Sequence, residues 1–175
     1  MNRWPSAQAP ATAAMVSVGL VGLVWLLVVL GNARPAPRVD VARQAALVEA
    51  RAPYRTYVPG RLPAGWRATS SRITGTRAAG PVAWHLGFLT ARDAYAAVEE
   101  SDEAPGAFVS RMANRDRPVG AQQVAGATWQ RYYRADKRQY SLARRFPGVT
   151  VVVTGTASYD ELAVLAAALR PQPGR

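Results

Sequence analysis

The sequence predicts an α+β domain that follows one N-terminal transmembrane helix. Three observations support this prediction. Residues 11–30 form an apolar run without a charged side chain. Residues 66–156 contain several short segments in which apolar and polar residues alternate, which is typical of strands. Residues 158–170 carry apolar side chains at helical spacing behind an N-terminal capping box. We therefore expect an antiparallel sheet of about five strands with helices packed on one face.

The apolar run is long enough to cross a bilayer. A helix that rises ~1.5 Å per residue needs about 20 apolar residues to span a hydrocarbon core ~30 Å thick. We assign residues 11–31 to a transmembrane helix and residues 1–10 to an N-terminal tail. The alternative is a secretory signal cleaved near the small residues at 31–33. Signal h-regions usually contain only about 7–15 apolar residues, so an uncleaved anchor is the preferred interpretation.

The charges beside the run leave its orientation open. Arg34, Arg38 and Arg43 follow the run, whereas Arg3 precedes it. Because cytoplasmic flanks carry an excess of cations, this count favours a cytoplasmic C-terminal domain. Long domains can be translocated regardless of charge, however, so the count does not decide the orientation.

Residues 32–65 predict a juxtamembrane helix and a proline-rich linker. Residues 39–51 are rich in alanine and other helix formers. Prolines and glycines recur through residues 52–65, which predicts an extended connector. We therefore expect one globular domain at residues 66–171 and a short tail at residues 172–175.

Alternation within the domain predicts five strands, at residues 66–74, 82–90, 124–134, 138–146 and 149–156. In the second strand, Trp84, Leu86 and Phe88 point to a core and His85 points to the opposite face. Gly126 marks a bulge or break in the third strand. Ser158 and Glu161 form the capping box of the final helix.

The segments between these strands have less regular sequence patterns. Thr90 and Asp93 resemble a capping box, which predicts a helix over residues 91–100. Acidic residues at the C-terminal end of a helix interact unfavourably with its dipole. We therefore expect this helix to end near residue 100 and the acidic residues to form a cluster exposed to water. Its members are Glu99, Glu100, Asp102 and Glu103. A short helix is predicted at residues 107–114 and a polar loop at residues 115–123.

Composition excludes several kinds of site. The chain has no cysteine, which removes disulfides, thiolate metal sites and iron–sulfur clusters. His85 is the single histidine, so a multi-histidine metal site is excluded, and we expect no cofactor. His85 is the one candidate catalytic residue, although a strand histidine beside a tryptophan is more often structural.

The chain is strongly basic, with 22 Lys and Arg against 11 Asp and Glu. An arginine-rich composition is typical of GC-rich genomes, and attraction to an anionic partner is the functional alternative. A candidate surface for such a partner comprises Arg131, Arg134, Lys137, Arg138, Arg144 and Arg145. Aromatic residues between these cations would suit single-stranded nucleic acid, but on strands they more often fill a core. An anionic lipid or polymer requires fewer assumptions than nucleic acid.

Several short motifs occur together in a specific order. They are the apolar run with its Arg-Pro exit, Gly65-Trp66-Arg67-Ala68-Thr69-Ser70, Trp84-His85-Leu86-Gly87-Phe88, Gly126-Ala127-Thr128-Trp129 and Val151-Val152-Val153-Thr154-Gly155-Thr156-Ala157-Ser158. With them the chain resembles the actinobacterial domain-of-unknown-function family 4245. The resemblance implies a single-pass membrane protein with an external globular part and no assigned activity. The chain departs from that pattern at Phe88, where tyrosine is expected, and at Glu100, where glutamine is expected.

Three functions are compatible with the sequence. We expect a membrane-anchored, extracytoplasmic, non-enzymatic domain that binds an envelope protein, an anionic lipid or a wall polymer. The first alternative is an envelope hydrolase that uses His85 as base with Asp93 or an acid among residues 99–103. The second is a cytoplasmic-facing basic domain that binds nucleic acid or the inner leaflet.

Overall fold

The computed structural model describes residues 39–172. The predicted transmembrane helix at residues 11–31 therefore lies outside the described residues. Within residues 39–172, the helices are all too short or too polar to cross a bilayer. The elements in chain order are α1 (Val41–Arg51), β1 (Tyr57–Pro59), β2 (Arg67–Thr74), β3 (Ala83–Leu89), β4 (Tyr95–Ser101), α2 (Pro105–Ala113), β5 (Gly120–Val124), β6 (Ala127–Arg134), β7 (Gln139–Phe146), β8 (Val149–Gly155), α3 (Tyr159–Ala168) and β9 (Leu169–Pro171).

The fold is α+β, as predicted, but its sheet is larger than expected. Seven strands pair antiparallel in the order β2-β3-β4-β8-β7-β6-β5. A separate two-stranded sheet joins β1 to β9. The five predicted strands correspond to β2, β3, β6, β7 and β8, so the sequence prediction missed β4 and β5 of the large sheet and the short strands β1 and β9.

The helix predicted at residues 91–100 is wrong, because most of that segment forms β4. The N–H of Thr90 donates to the carbonyl of Ala94 over 2.9 Å, and Asp93 adopts a left-handed conformation with φ of 56°. This tight turn folds β4 back along β3. Because β4 pairs with β3 and β8, cross-strand bonds and burial on both faces outweigh the helix propensity of its alanines.

The bulge or break predicted at Gly126 is a hairpin turn. Ala125 and Gly126 both have positive φ, of 50° and 76°, as a two-residue turn between antiparallel strands requires. The turn brings the preceding residues alongside β6, where they form β5. Part of the predicted polar loop is therefore the edge strand of the sheet.

Helices cover both faces of the sheet, so the predicted one-sided packing is wrong. Along β8, Val151 and Val153 lie in the main core with buried residues of α1 and α3. Val152 points the other way and packs with Phe108 of α2. We call the side of Val151 and Val153 the main face and the side of Val152 the second face. Helix α2 contacts β6, β7 and β8 on the second face.

The N-terminal part of the described chain belongs to the domain. A helix was predicted at residues 39–51 and is present as α1, where Ala45 and Val48 are buried in the main core. Tyr54 is buried there as well, and it follows α1 in the segment that was assigned to a linker. Residues 39–172 all belong to one compact unit. The core therefore starts well before residue 66, the predicted beginning of the domain.

Candidate functional site

His85 lies at the centre of a hydrogen-bonded cluster on the second face. Its neighbours Trp84 and Leu86 are buried in the main core, so alternation along β3 turns the imidazole to the other side, as predicted. His85 Nδ1 lies 2.6 Å from Glu99 Oε1. His85 Nε2 lies 3.1 Å from Ser70 Oγ and 3.2 Å from the hydroxyl oxygen of Tyr95. We call these four residues the His85 cluster.

The register of three strands brings the His85 cluster together. His85 of β3 lies opposite Glu99 of β4, and Ser70 of β2 lies opposite Gly87. A Cβ atom on Gly87 would come within 2.3 Å of Ser70 Oγ and 2.9 Å of the Tyr95 hydroxyl. Only glycine at this position leaves room for the two hydroxyl groups to approach the imidazole.

The hydrogen bonds indicate which ring nitrogen of His85 carries the proton. A carboxylate only accepts, so we assign the imidazole proton to Nδ1, facing Glu99, and an acceptor role to Nε2, facing Ser70 and Tyr95. Burial, followed by the charge of Glu99, raises the pKa of Tyr95, which keeps its hydroxyl protonated. The side chains of His85 and Glu99 are 19% and 15% exposed. The cluster is therefore shielded and still open to solvent.

Tyr95 and Glu99 also line a groove of about 440 Å³ at the end of α2. We call it the Tyr95 groove. Its other lining residues include Arg111, Met112, Asn114, Lys137, Gln139 and Thr154. Arg111 is paired with Glu103, whereas Lys137 forms no ion pair with another described residue. A molecule in this groove would touch two members of the His85 cluster and meet the positive charge of Lys137.

A second groove, of about 560 Å³, lies where β6 and β7 separate. Pairing begins beside the β6–β7 turn, where Arg134 lies opposite Gln139, and it ends where Gln130 lies opposite Ala143. Both strands continue beyond that last pair without pairing to each other. We call this opening the arginine groove. Its lining residues are Pro105, Gly106, Val109, Asp116, Thr128, Gln130, Tyr132, Ala143, Arg144, Arg145 and Thr150.

The six cations predicted to form one anionic-partner surface are distributed over several places. Arg131 stacks on the ring of Tyr159 on the main face, at 3.8 Å from the ring centroid. Arg134 pairs with Asp136, 2.9 Å away. Lys137 and Arg138 are exposed near the β6–β7 turn. Of the six, Arg144 and Arg145 line the arginine groove, and neither is ion-paired within residues 39–172. Arg144 lies opposite Val151 of the main face, and its guanidinium stacks on the ring of Phe146, 4.6 Å from the centroid.

The aromatic residues of the β6–β7 hairpin are packed against other parts of the domain. Trp129 is buried in the main core. Tyr140 contacts Tyr133 and Tyr159, with ring centroids 4.8 and 4.9 Å apart. These contacts agree with the structural interpretation of the aromatics rather than with a nucleic-acid interface.

The acids at residues 99–103 do not form the solvated cluster that was predicted. Glu99 bonds His85, Asp102 accepts from the N–H of Val82 over 2.7 Å, and Glu103 pairs with Arg111. Glu100 is fully buried, and burial raises its pKa well above the ordinary value. The prediction was wrong because Glu99 and Glu100 belong to strand β4 of the sheet, and Asp102 and Glu103, which follow β4, bond to other parts of the domain.

The sequence identified His85 and included Glu99 among its candidate acids at residues 99–103, but it did not identify Ser70 or Tyr95. The alternation of apolar and polar residues predicted the face of the sheet on which His85 lies. The residues across from it depend on strand pairing, which no local sequence pattern indicated. Asp93, the other acid considered, lies in the β3–β4 turn and pairs with Arg67. Among residues 39–172, no group of three or more histidine, aspartate or glutamate side chains is arranged to hold a metal ion.

Comparisons with known proteins give one family. A family model described as "Protein of unknown function (DUF4245)" matches residues 11–169. A search of curated proteins returned no match. Among solved structures, the chain is similar to MucB, from the crystal structure of MucB in complex with MucA(peri). That similarity has a TM-score of 0.42 and 16% sequence identity, and it covers 67% of this chain and 37% of the MucB chain.

Proposed function

We propose that this chain, which belongs to the DUF4245 family, is a membrane-anchored extracytoplasmic domain that binds an anionic lipid. The observation that carries the proposal is the arginine groove. It combines a volume of about 560 Å³ with Arg145, which forms no ion pair among the described residues. Small-molecule sites in proteins typically have volumes of about 300–1,000 Å³.

The lining of the arginine groove suits an amphiphile. Val109, Tyr132 and Ala143 offer apolar surface, against which an acyl chain loses contact with water. Arg145 provides a guanidinium group, which binds phosphate and carboxylate oxygens through paired hydrogen bonds, whereas the guanidinium of Arg144 lies over the ring of Phe146, 4.6 Å from its centroid. The groove therefore matches a molecule with an apolar chain and an anionic headgroup.

The same lining favours lipid over the other partners that the sequence left open. A wall polymer is rich in hydroxyl groups, which would find few hydrogen-bonding partners against the apolar residues of the groove. A protein segment would be held chiefly by backbone hydrogen bonds at an open strand edge, whereas β6 and β7 meet other strands on both sides over most of their length. A lipid would contact both the apolar residues and Arg145.

Two further observations support the membrane setting. The apolar run at residues 11–30 is long enough for a transmembrane helix. The family resemblance implies an external globular part. In this arrangement the anchor keeps the arginine groove close to a lipid supply, which raises the effective lipid concentration.

Lipid analysis of the purified full-length chain tests the proposal. The protein is extracted in a neutral detergent, and bound lipids are identified by native mass spectrometry. We compare wild type with Arg145→Ala. The matched control is Lys137→Ala, which removes the same charge from an exposed position outside the groove.

We expect one anionic phospholipid per wild-type chain, its loss in the groove variant and its retention in the control. Lipids that associate with the apolar run should be equal in all three proteins, which separates them from lipid in the groove. Equal anionic lipid in wild type and groove variant would overturn the proposal. A wild-type chain that retains only zwitterionic lipid would do the same.

A further inference from the structure

We propose that Ser70, His85 and Glu99 form a nucleophilic site that hydrolyses carboxylic esters, with the Tyr95 hydroxyl stabilising the developing oxyanion. This activity goes beyond lipid binding and does not depend on it, because the His85 cluster and the arginine groove share no lining residue. It develops the alternative of a His85 hydrolase by naming the nucleophile and the acid.

The contacts follow the order that an activated serine requires. Ser70 Oγ lies 3.1 Å from His85 Nε2, which is within reach for proton transfer. His85 Nδ1 lies 2.6 Å from Glu99 Oε1. The carboxylate orients the ring and stabilises the imidazolium that forms when Ser70 loses its proton. Nucleophile, base and orienting acid thus lie on three adjacent strands.

The cluster is held by rigid elements rather than by loops. Ser70, His85 and Glu99 belong to strands of one antiparallel sheet, and Gly87 leaves the space in which the hydroxyl groups approach the imidazole. Sites on strands keep their geometry with little reorganisation during a reaction. The Tyr95 hydroxyl lies on the same side of the ring as Ser70 Oγ, since both contact Nε2. It can therefore donate to an oxygen that forms beside Ser70.

The reaction needs only the ester and water. Ser70 Oγ bonds to the carbonyl carbon as its proton passes to His85 Nε2, and the carbonyl oxygen becomes an oxyanion that accepts from the Tyr95 hydroxyl. The bond to the alcohol oxygen then breaks, and the alcohol leaves with the proton from His85. Water attacks the acyl-Ser70 ester, gives a proton to His85 and releases the carboxylic acid as Ser70 Oγ regains that proton.

Cations around the cluster indicate an anionic ester. Arg72 of β2 lies opposite His85 in the strand register, and Lys137 lines the Tyr95 groove. A negative charge on the acyl or alcohol part would be attracted to both positions. The Tyr95 groove provides space for the remainder of the substrate beside Tyr95 and Glu99. The substrate class is therefore a carboxylic ester that carries a carboxylate or phosphate.

Covalent labelling of the full-length chain tests the assignment. A fluorophosphonate probe should label Ser70, identified by fragmentation of the tryptic peptide of residues 68–72, which also separates Ser70 from Ser71. Turnover of the anionic p-nitrophenyl ester of succinic acid provides a second readout. The variants are Ser70→Ala, His85→Gln and Glu99→Gln, and Ser110→Ala outside the cluster serves as the control.

We expect labelling of Ser70 in wild type and Ser110→Ala, and a labelling rate roughly 100-fold lower in His85→Gln. Glu99→Gln should also slow labelling, while Ser70→Ala abolishes turnover. Circular dichroism checks that each variant is folded. Labelling of Ser70 at the wild-type rate in folded His85→Gln would overturn the proposal. So would a folded wild-type chain with no labelling at Ser70 and no turnover above Ser70→Ala. Lipid retention in these variants tests the arginine groove separately.

Discussion

The backbone N–H of Tyr57 donates a hydrogen bond to Glu100 Oε1 over 3.0 Å, linking residues that lie 43 positions apart. Tyr57 begins β1, and Glu100 lies in β4 inside the large sheet. Thr56, the preceding residue, is also fully buried. The bond holds the incoming chain against the core, which explains why a segment with the composition of a linker is part of the domain.

The buried carboxyl of Glu100 predicts a specific dependence of stability on pH. Its ordinary pKa is 4.5, and burial raises the pKa in the folded state well above that value. Between the unfolded and folded pKa values the folded state binds more protons, so stability is lost as pH rises through this interval. Relative to Glu100→Gln, which cannot titrate, wild type should lose up to about 1.4 kcal/mol per pH unit above the unfolded pKa.

Urea unfolding at several pH values from 5 to 8, followed by tryptophan fluorescence, measures this difference. The comparison with Glu100→Gln cancels the other titrating groups, because the variant retains them. Unfolding free energies that change in parallel for the two proteins would contradict the raised pKa of Glu100.

Helix α1 provides a test of the domain boundary. Val48 is 0% exposed in the main core, whereas its neighbour Leu47 is 40% exposed. Val48→Ala should lower the free energy of unfolding by about 1.5–3 kcal/mol, through lost burial and a cavity. Leu47→Ala should change it by less than about 0.5 kcal/mol. Denaturant unfolding measures both values, and equal small effects would show that α1 contributes nothing to the core.

Gly155 predicts a severe packing defect when it is replaced. A Cβ atom there would lie 2.1 Å from the carbonyl oxygen of Tyr95, in the backbone of the adjacent strand β4. Gly155→Ala should therefore cost about 3 kcal/mol or more, because the two central strands must separate.

Gly106 is the matched control for that substitution. A Cβ atom at this position of α2 meets nothing within 4 Å. Gly106→Ala should stabilise the domain by about 0.4–1 kcal/mol, since it reduces the freedom of the unfolded chain. Thermal unfolding compares the two variants, and similar melting temperatures would rule out the proposed steric conflict at Gly155.

Membrane orientation is testable because the chain has no cysteine. Lys137 is exposed, so Lys137→Cys introduces a single accessible thiol into the domain. An impermeant maleimide should label it on intact cells if the domain is extracytoplasmic. Ser6→Cys, on the other side of the apolar run, should react only after the cells are permeabilised. The opposite pattern would place the domain in the cytoplasm.

Local sequence patterns were sufficient to predict the family and the final helix of this chain. The family resemblance is confirmed by the match over residues 11–169. The capping box of Ser158 and Glu161 is present, and it begins α3 as predicted. The similar signal at Thr90 and Asp93 was misleading, because there the same residue types form a hairpin turn. The capping box leads into a helix that packs on the sheet, whereas the hairpin turn leads into a strand that joins the sheet.

Local patterns in the amino-acid order were enough to predict five strands, the final helix and the side of the sheet on which His85 lies. These features depend on residues a few positions apart, through alternation, capping and turn formation. Long-range packing alone decided that residues 95–101 form a strand, that the predicted linker enters the core and that Ser70 and Glu99 meet His85. Those outcomes depend on register and burial between distant segments, because a hydrogen bond across a sheet leaves no pattern in either strand by itself.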